Sequence, residues 1–194
     1  MENKLTGYYP KTRKAWRNWL QKNHAVRQNV WLILYRKGTG IATLTYDEVV
    51  EEALCFGWID SKPNKRDDES YFLFVSTRKP KSPWSAINKK RIEKLLHQNK
   101  IEDAGLKKIE AAKKDGSWML LDKIDALEMP IELKKAFLKS KTGLQHFEQF
   151  PQSVKKQIYQ WIYSAKTEQT VQKRVTETAS LAEKNIRANQ WKPK

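Results

Sequence analysis

Six residues of this chain have the types and spacing to form a polar site: Trp58, Asp60, Arg78, Ser82, Trp84 and Asn88. Asp60 follows the apolar pair Trp58-Ile59, and a carboxylate set among large apolar side chains must find a partner or shift its pKa. Arg78 leaves a strongly apolar stretch, Tyr71 to Val75 (YFLFV). If that stretch pairs with the segment carrying Asp60, the guanidinium emerges beside the carboxylate. Such a pair is either a buried structural brace or one wall of a ligand pocket floored by tryptophan, and the brace is the simpler of the two. A second set, Lys79, Lys81, Lys89, Lys90, Arg91 and Lys94, wraps the start of a helix and the turns beyond it. With Trp84 nearby, these cations could hold phosphate and stack a base; a solvated basic face accounts for them equally well.

Other chemistries find little support. His24, His97 and His146 lie far apart, and Cys55, the single cysteine, has no partner at ligand spacing, so neither a metal nor an internal disulfide is implied. Phosphate-binding loop, dinucleotide fingerprint and nucleophile elbow are all missing, and Gly38-Thr39-Gly40 reads as a turn. No catalytic residue and no cofactor are therefore assigned. Cys55 has Leu54 and Phe56 beside it and Glu51 and Glu52 one turn earlier, surroundings that disfavour a thiolate and fit a core cysteine.

The element that must position these residues is Leu44 to Asp60, LTYDEVVEEALCFGWID. Thr45 and Glu48 have the spacing of a capping box, with Leu44 and Val49 placed as its hydrophobic staple. Val50, Ala53, Leu54 and Gly57 recur at helical spacing, which predicts one buried face. Before it, Thr12 to Asn23 reads as an amphipathic helix, packed on a sheet or lying in a membrane interface, and Val30 to Arg36 as a central, doubly covered strand. After it, Trp58 to Lys62 and Tyr71 to Val75 read as an antiparallel hairpin. Ser82-Pro83 predicts a helix start, with Ser85 a competing cap, and a further helix runs from about Asp103 to a stop at Gly116. The expected fold class is α+β: a small antiparallel sheet packed with helices, followed by a C-terminal helical module. The expected division is an α+β domain at 1–118, a connecting segment at 119–130 and the helical module at 131–190, with apolar stripes at Val154 to Ala165 and Val171 to Ile186. The tail Trp191 to Lys194 is expected to fray.

A net charge of +16 is unevenly laid out. Residues 1–44 carry nine basic and one acidic side chain, residues 45–77 three and eight, residues 78–114 twelve and four, and residues 115–194 fourteen and nine. An acidic middle between basic flanks could attract nucleic acid, anionic lipid or an acidic partner, or could serve solubility alone. No apolar run approaches a membrane span and no signal peptide is apparent, so a cytoplasmic location is expected.

The segments ALCFGWID (Ala53 to Asp60), RKPKSPWSAIN (Arg78 to Asn88), AGLKKIEAAKKDGSW (Ala104 to Trp118) and FEQFPQSVKKQIYQWIYSAKTEQT (Phe147 to Thr170) resemble the YdeI/OmpD-associated, or bacteriocin-protection, family. The resemblance implies an accessory role in envelope stress or tolerance of antimicrobial peptides, a phenotype with no catalytic residues to carry over. The sequence departs from the family pattern at three places: Ser61 for its glycine, Ser76-Thr77 for its threonine-proline, and Val171 for its arginine. The last removes a cation from the C-terminal module. Together these features suggest a non-enzymatic protein that binds a partner or an anionic ligand. A small-molecule binder or enzyme using Asp60, Arg78 and Trp84, and a nucleic-acid-binding module, stand as alternatives.

Overall fold

The structure is a computed structural model that describes residues 6–190; the tail expected to fray lies outside them. The chain divides into two compact units, Met1–Met119 and Leu120–Lys194. The fold class is α+β.

In the N-terminal unit, helix α1 (Arg13–Asn23) precedes strand β1 (Asn29–Tyr35), helix α2 (Tyr46–Cys55) and strands β2 (Trp58–Asp60), β3 (Asn64–Lys65) and β4 (Ser70–Thr77). Helices α3 (Ala86–His97) and α4 (Asp103–Asp115) complete it. The sheet is antiparallel with β4 at its centre, flanked by β1 on one side and by β2 and β3 on the other. Central β4 is buried where its apolar residues require cover, at Phe72, Leu73 and Val75.

The capping box forms as expected: Thr45 Oγ1 accepts from Glu48 N–H at 3.3 Å, and the Glu48 carboxylate accepts from Thr45 N–H at 2.8 Å. Beyond it α2 is buried on every side from Val49 to Cys55, not on one face, because its two glutamates are covered as well. α1 packs on α2, with Trp16 and Leu20 fully buried and Trp16 Nε1 donating to Val49 O at 3.1 Å. That seat accounts for its apolar face and leaves Trp16 no free surface to offer a membrane interface.

Two glycines bring α2 and α4 together. Gly57 holds φ at +73°, and a Cβ there would meet Ala104 O at 2.8 Å. A Cβ on Gly105 would meet Cys55 O at 2.4 Å. α3 begins at Ser85, whose hydroxyl accepts from Asn88 N–H, so the expected start at Ser82-Pro83 is corrected by one turn. Ser82 instead donates its hydroxyl to Lys79 O at 2.9 Å, closing a turn.

The C-terminal unit is helical throughout: α5 (Leu120–Asp125), α6 (Ile131–Phe137), α7 (Lys141–Gln149), α8 (Gln152–Tyr163) and α9 (Glu168–Glu183). The segment expected as a connector carries α5, whose Ile124 is buried in this unit's own core with Phe137, Phe147, Ile158, Tyr159 and Val175. Val154, Ile158, Ile162 and Val175, named from the two stripes, face that core. No helix among the described residues is long and apolar enough to cross a membrane.

Candidate functional site

The six-residue constellation divides into four groups. Strand register separates Asp60 from Arg78. β2 pairs with β4 as Trp58 with Thr77 and Asp60 with Val75, so Arg78 comes level with Gly57, to whose carbonyl its N–H donates at 3.0 Å. Asp60 lies three residues along the strand, about 10 Å away. The expected Asp60–Arg78 ion pair is absent among the described residues. Asp60 instead accepts from Tyr46 Oη at 2.7 Å, and burial followed by that carboxylate pushes the Tyr46 phenol up to about 12. Trp58 belongs to the core, edge-on to Trp19. Asn88 accepts from Arg91 at 2.8 Å.

Arg78, Ser82 and Trp84 do come together. Arg78 is 4% exposed, and its guanidinium carbon lies 3.7 Å from the centre of the Trp84 ring. Nη2 donates to Pro83 O, while Nε is buried without a hydrogen-bond partner. Burial lowers the Arg78 pKa to about 10, with Asp60 opposing from a distance; at neutral pH it remains a cation. Trp84 is itself buried and leans on Trp118, with ring centres 5.0 Å apart.

Beside Arg78 lies a crevice of about 60 Å³, lined by Lys79, Lys81, Ser82 and Trp84 on one side and by Lys108, Asp115 and Ser117 on the other. Ser117 is 5% exposed, and its Oγ makes no geometrically complete hydrogen bond. Asp115 accepts from Ser117 N–H at 2.9 Å with one oxygen and from Lys81 N–H at 3.2 Å with the other. Burial works to raise the Asp115 pKa, but the nearby Ser117 hydroxyl and those amides hold it low. Four cations thus face one carboxylate whose oxygens are both engaged.

The remaining basic residues have other work. Arg91 pairs with Asp47, and Lys94 pairs with Glu51 at 2.7 Å, so both tie α3 to α2. Lys89 lies over Trp118 at 5.9 Å, and Lys90 is exposed on α3. Base stacking on Trp84 has no open ring face to use, because Arg78 covers it.

Sequence reasoning missed Lys108, Asp115 and Ser117, which reach the crevice from the end of α4 and the turn after it. It also missed a network on α2. Glu52, 3% exposed, accepts from Arg13 Nε at 2.6 Å and Arg17 Nη1 at 2.8 Å; Glu51 pairs with Arg13 at 2.9 Å. Arg17 continues to Glu102. The signal was adjacent glutamates inside an otherwise apolar helix. Cys55 lies in the core as expected, its thiol pushed up to about 11 by burial and then by Glu52.

The C-terminal unit has larger hollows of about 610 and 490 Å³. Among the described residues, neither is lined by a buried side-chain polar atom that lacks a partner.

Two family models match the chain. Residues 8–108, more than half of its length, match a domain of unknown function (DUF8412). Residues 126–185 match the family described as bacteriocin-protection, YdeI or OmpD-associated. The GWID and RKPKSPWSAIN motifs thus fall under the first model, and the second covers the helical C-terminal segment. No curated protein and no solved structure matches.

Proposed function

Starting from a chain that belongs to the DUF8412 family and ends in a bacteriocin-protection, YdeI or OmpD-associated segment, we propose a non-enzymatic accessory whose N-terminal unit binds an anionic ligand at Arg78. Its place is in bacteriocin protection, as the description of the C-terminal family suggests, with envelope stress and tolerance of antimicrobial peptides as what the sequence resemblance implies. One observation carries the binding reading. Arg78 is a buried cation with no carboxylate at ion-pair distance among the described residues, with Nε unpartnered, and it lines a basic crevice. A buried charge left in that condition is costly, and an incoming anion relieves the cost.

The lining also favours binding over catalysis. No imidazole lines the crevice, and Asp115, its carboxylate, has both oxygens engaged by amides. Neither the Ser82 nor the Ser117 hydroxyl therefore has a free general base beside it.

Tryptophan-fluorescence titration tests this reading, since Trp84 lies directly beneath the guanidinium. Small anions and single- and double-stranded nucleic acid, each titrated at several salt concentrations, should include at least one that changes the emission. The change should disappear in Arg78→Met at an unchanged unfolding midpoint. Silence from every anion at low salt would reject it. A steep logarithmic salt slope would identify a polyanion by the number of phosphates engaged.

A further inference from the structure

We propose that the crevice receives one tetrahedral oxyanion, the doubly charged end of a phosphomonoester, with the Arg78 guanidinium as its central cation. This rests on the anion-binding reading and narrows it from anions at large to one class. Size is the first argument. A water needs roughly 10–15 Å³ of such space, so about 60 Å³ holds a few waters or one phosphoryl-sized group, and has no room for a sugar or a base. Donor geometry is the second. Nη2 is held by Pro83 O and the guanidinium plane is held against Trp84, so the cation that lines the crevice is fixed in orientation and keeps further N–H donors unused by that carbonyl. Ser117 adds a hydroxyl that can turn toward the same space, and Lys79, Lys81 and Lys108 add charge at its walls.

The aromatic surroundings point the same way. Arg78 covers Trp84, while Lys89 and Lys113 lie 5.9 and 5.6 Å from the Trp118 ring centre. The usual stacking platform for a nucleobase is thereby occupied by cations. Asp115 would repel an anion, and its two amide bonds offset part of that repulsion. The dianionic form of the ligand follows from the excess of cations at the walls.

The test uses the full chain, with methyl phosphate, sulfate and an oligonucleotide lacking terminal phosphates as probes, read by tryptophan fluorescence and calorimetry. Methyl phosphate should bind about tenfold more tightly at pH 7.5 than at pH 5, as its second proton leaves near pH 6. Sulfate does not titrate in this range and should bind with little pH dependence, which separates the probe's protonation from the protein's. Arg78→Lys should weaken methyl phosphate about tenfold or more, and Ser117→Ala by a smaller factor. Lys62→Gln, an exposed residue away from the crevice, should leave affinity unchanged. Unfolding midpoints measured in parallel confirm that each variant is folded. The proposal is overturned if methyl phosphate affinity is flat with pH, or if Ser117→Ala and a folded Arg78→Lys both bind like the parent. If the oligonucleotide binds and methyl phosphate does not, the oxyanion class falls and the broader anion reading stands. If no probe binds, both fall and the crevice holds water.

Discussion

Arg13 and Arg17 on α1, and Arg78 after β4, all bring guanidinium groups against the interior of the N-terminal unit, but their surroundings have opposite effects. Burial works against the Arg13 and Arg17 charges. Glu52 and Glu51 more than offset it at Arg13, and Glu52 with Cys55 does so at Arg17, so both pKa values are raised. At Arg78 burial wins and the pKa falls to about 10. The first region has carboxylates at 2.6 to 2.9 Å and binds helix to helix. The second has an aromatic face and one carbonyl, which orient the cation without neutralising it. The same side chain is thus a brace in one setting and a receptive group in the other, and the presence of a carboxylate partner decides which.

The comparison can be broken most directly at Glu52. Glu52→Gln keeps the shape and removes the charge between two guanidinium groups, and should cost about 3 kcal/mol in urea unfolding. A loss below about 1 kcal/mol would mean that the network is no brace. The next effect is alkaline. The Cys55 thiol, raised from 9.0 to about 11, favours the folded state while neutral. Its contribution is complete below pH 9 and is lost as pH rises toward 11, about 2–3 kcal/mol in all. Cys55→Ala should remove that part of the alkaline decline when unfolding free energies at pH 8 and pH 11 are compared. An unchanged decline would show that the thiol is not buried in solution.

Arg78→Met sharpens the contrast from the other side. Methionine can lie on the Trp84 ring without a charge to desolvate, so stability should change by less than about 1 kcal/mol, although anion binding is abolished. A loss as large as that of Glu52→Gln would make Arg78 a brace after all. Lys94→Gln should have the smallest effect, no more than about 0.5 kcal/mol, because Lys94 is half exposed and its pair with Glu51 is screened.

What the sequence made legible was local. The Thr45–Glu48 cap, the stop at Gly116 and the apolar strand at Tyr71 to Val75 each depend on residues a few positions apart. Arg78 and Trp84 were recognised together for the same reason. The proposed Asp60–Arg78 pair depended on β-strand register, and composition does not reveal whether Asp60 faces Val75 or a residue two positions further on. Ser82 and Ser85 both offered a cap, and the choice fell to the one whose hydroxyl reaches an amide of the helix. Lys108 and Ser117 were missed because they join the crevice through the α2–α4 contact, which two glycines permit and no sequence period announces.

The order in which the crevice's walls leave the ribosome has a kinetic consequence. Arg78 follows a strand whose partner, β1, lies some 35 to 47 residues earlier, and the opposite wall is not complete until Ser117. Long-range strand pairing of this kind is slow to form. A nascent chain shorter than residue 117 can fold its first helices and still hold no anion. An anion of the proposed kind would therefore give no help in the early steps of synthesis, and would stabilise the N-terminal unit only after that unit had been fully translated and its sheet had closed.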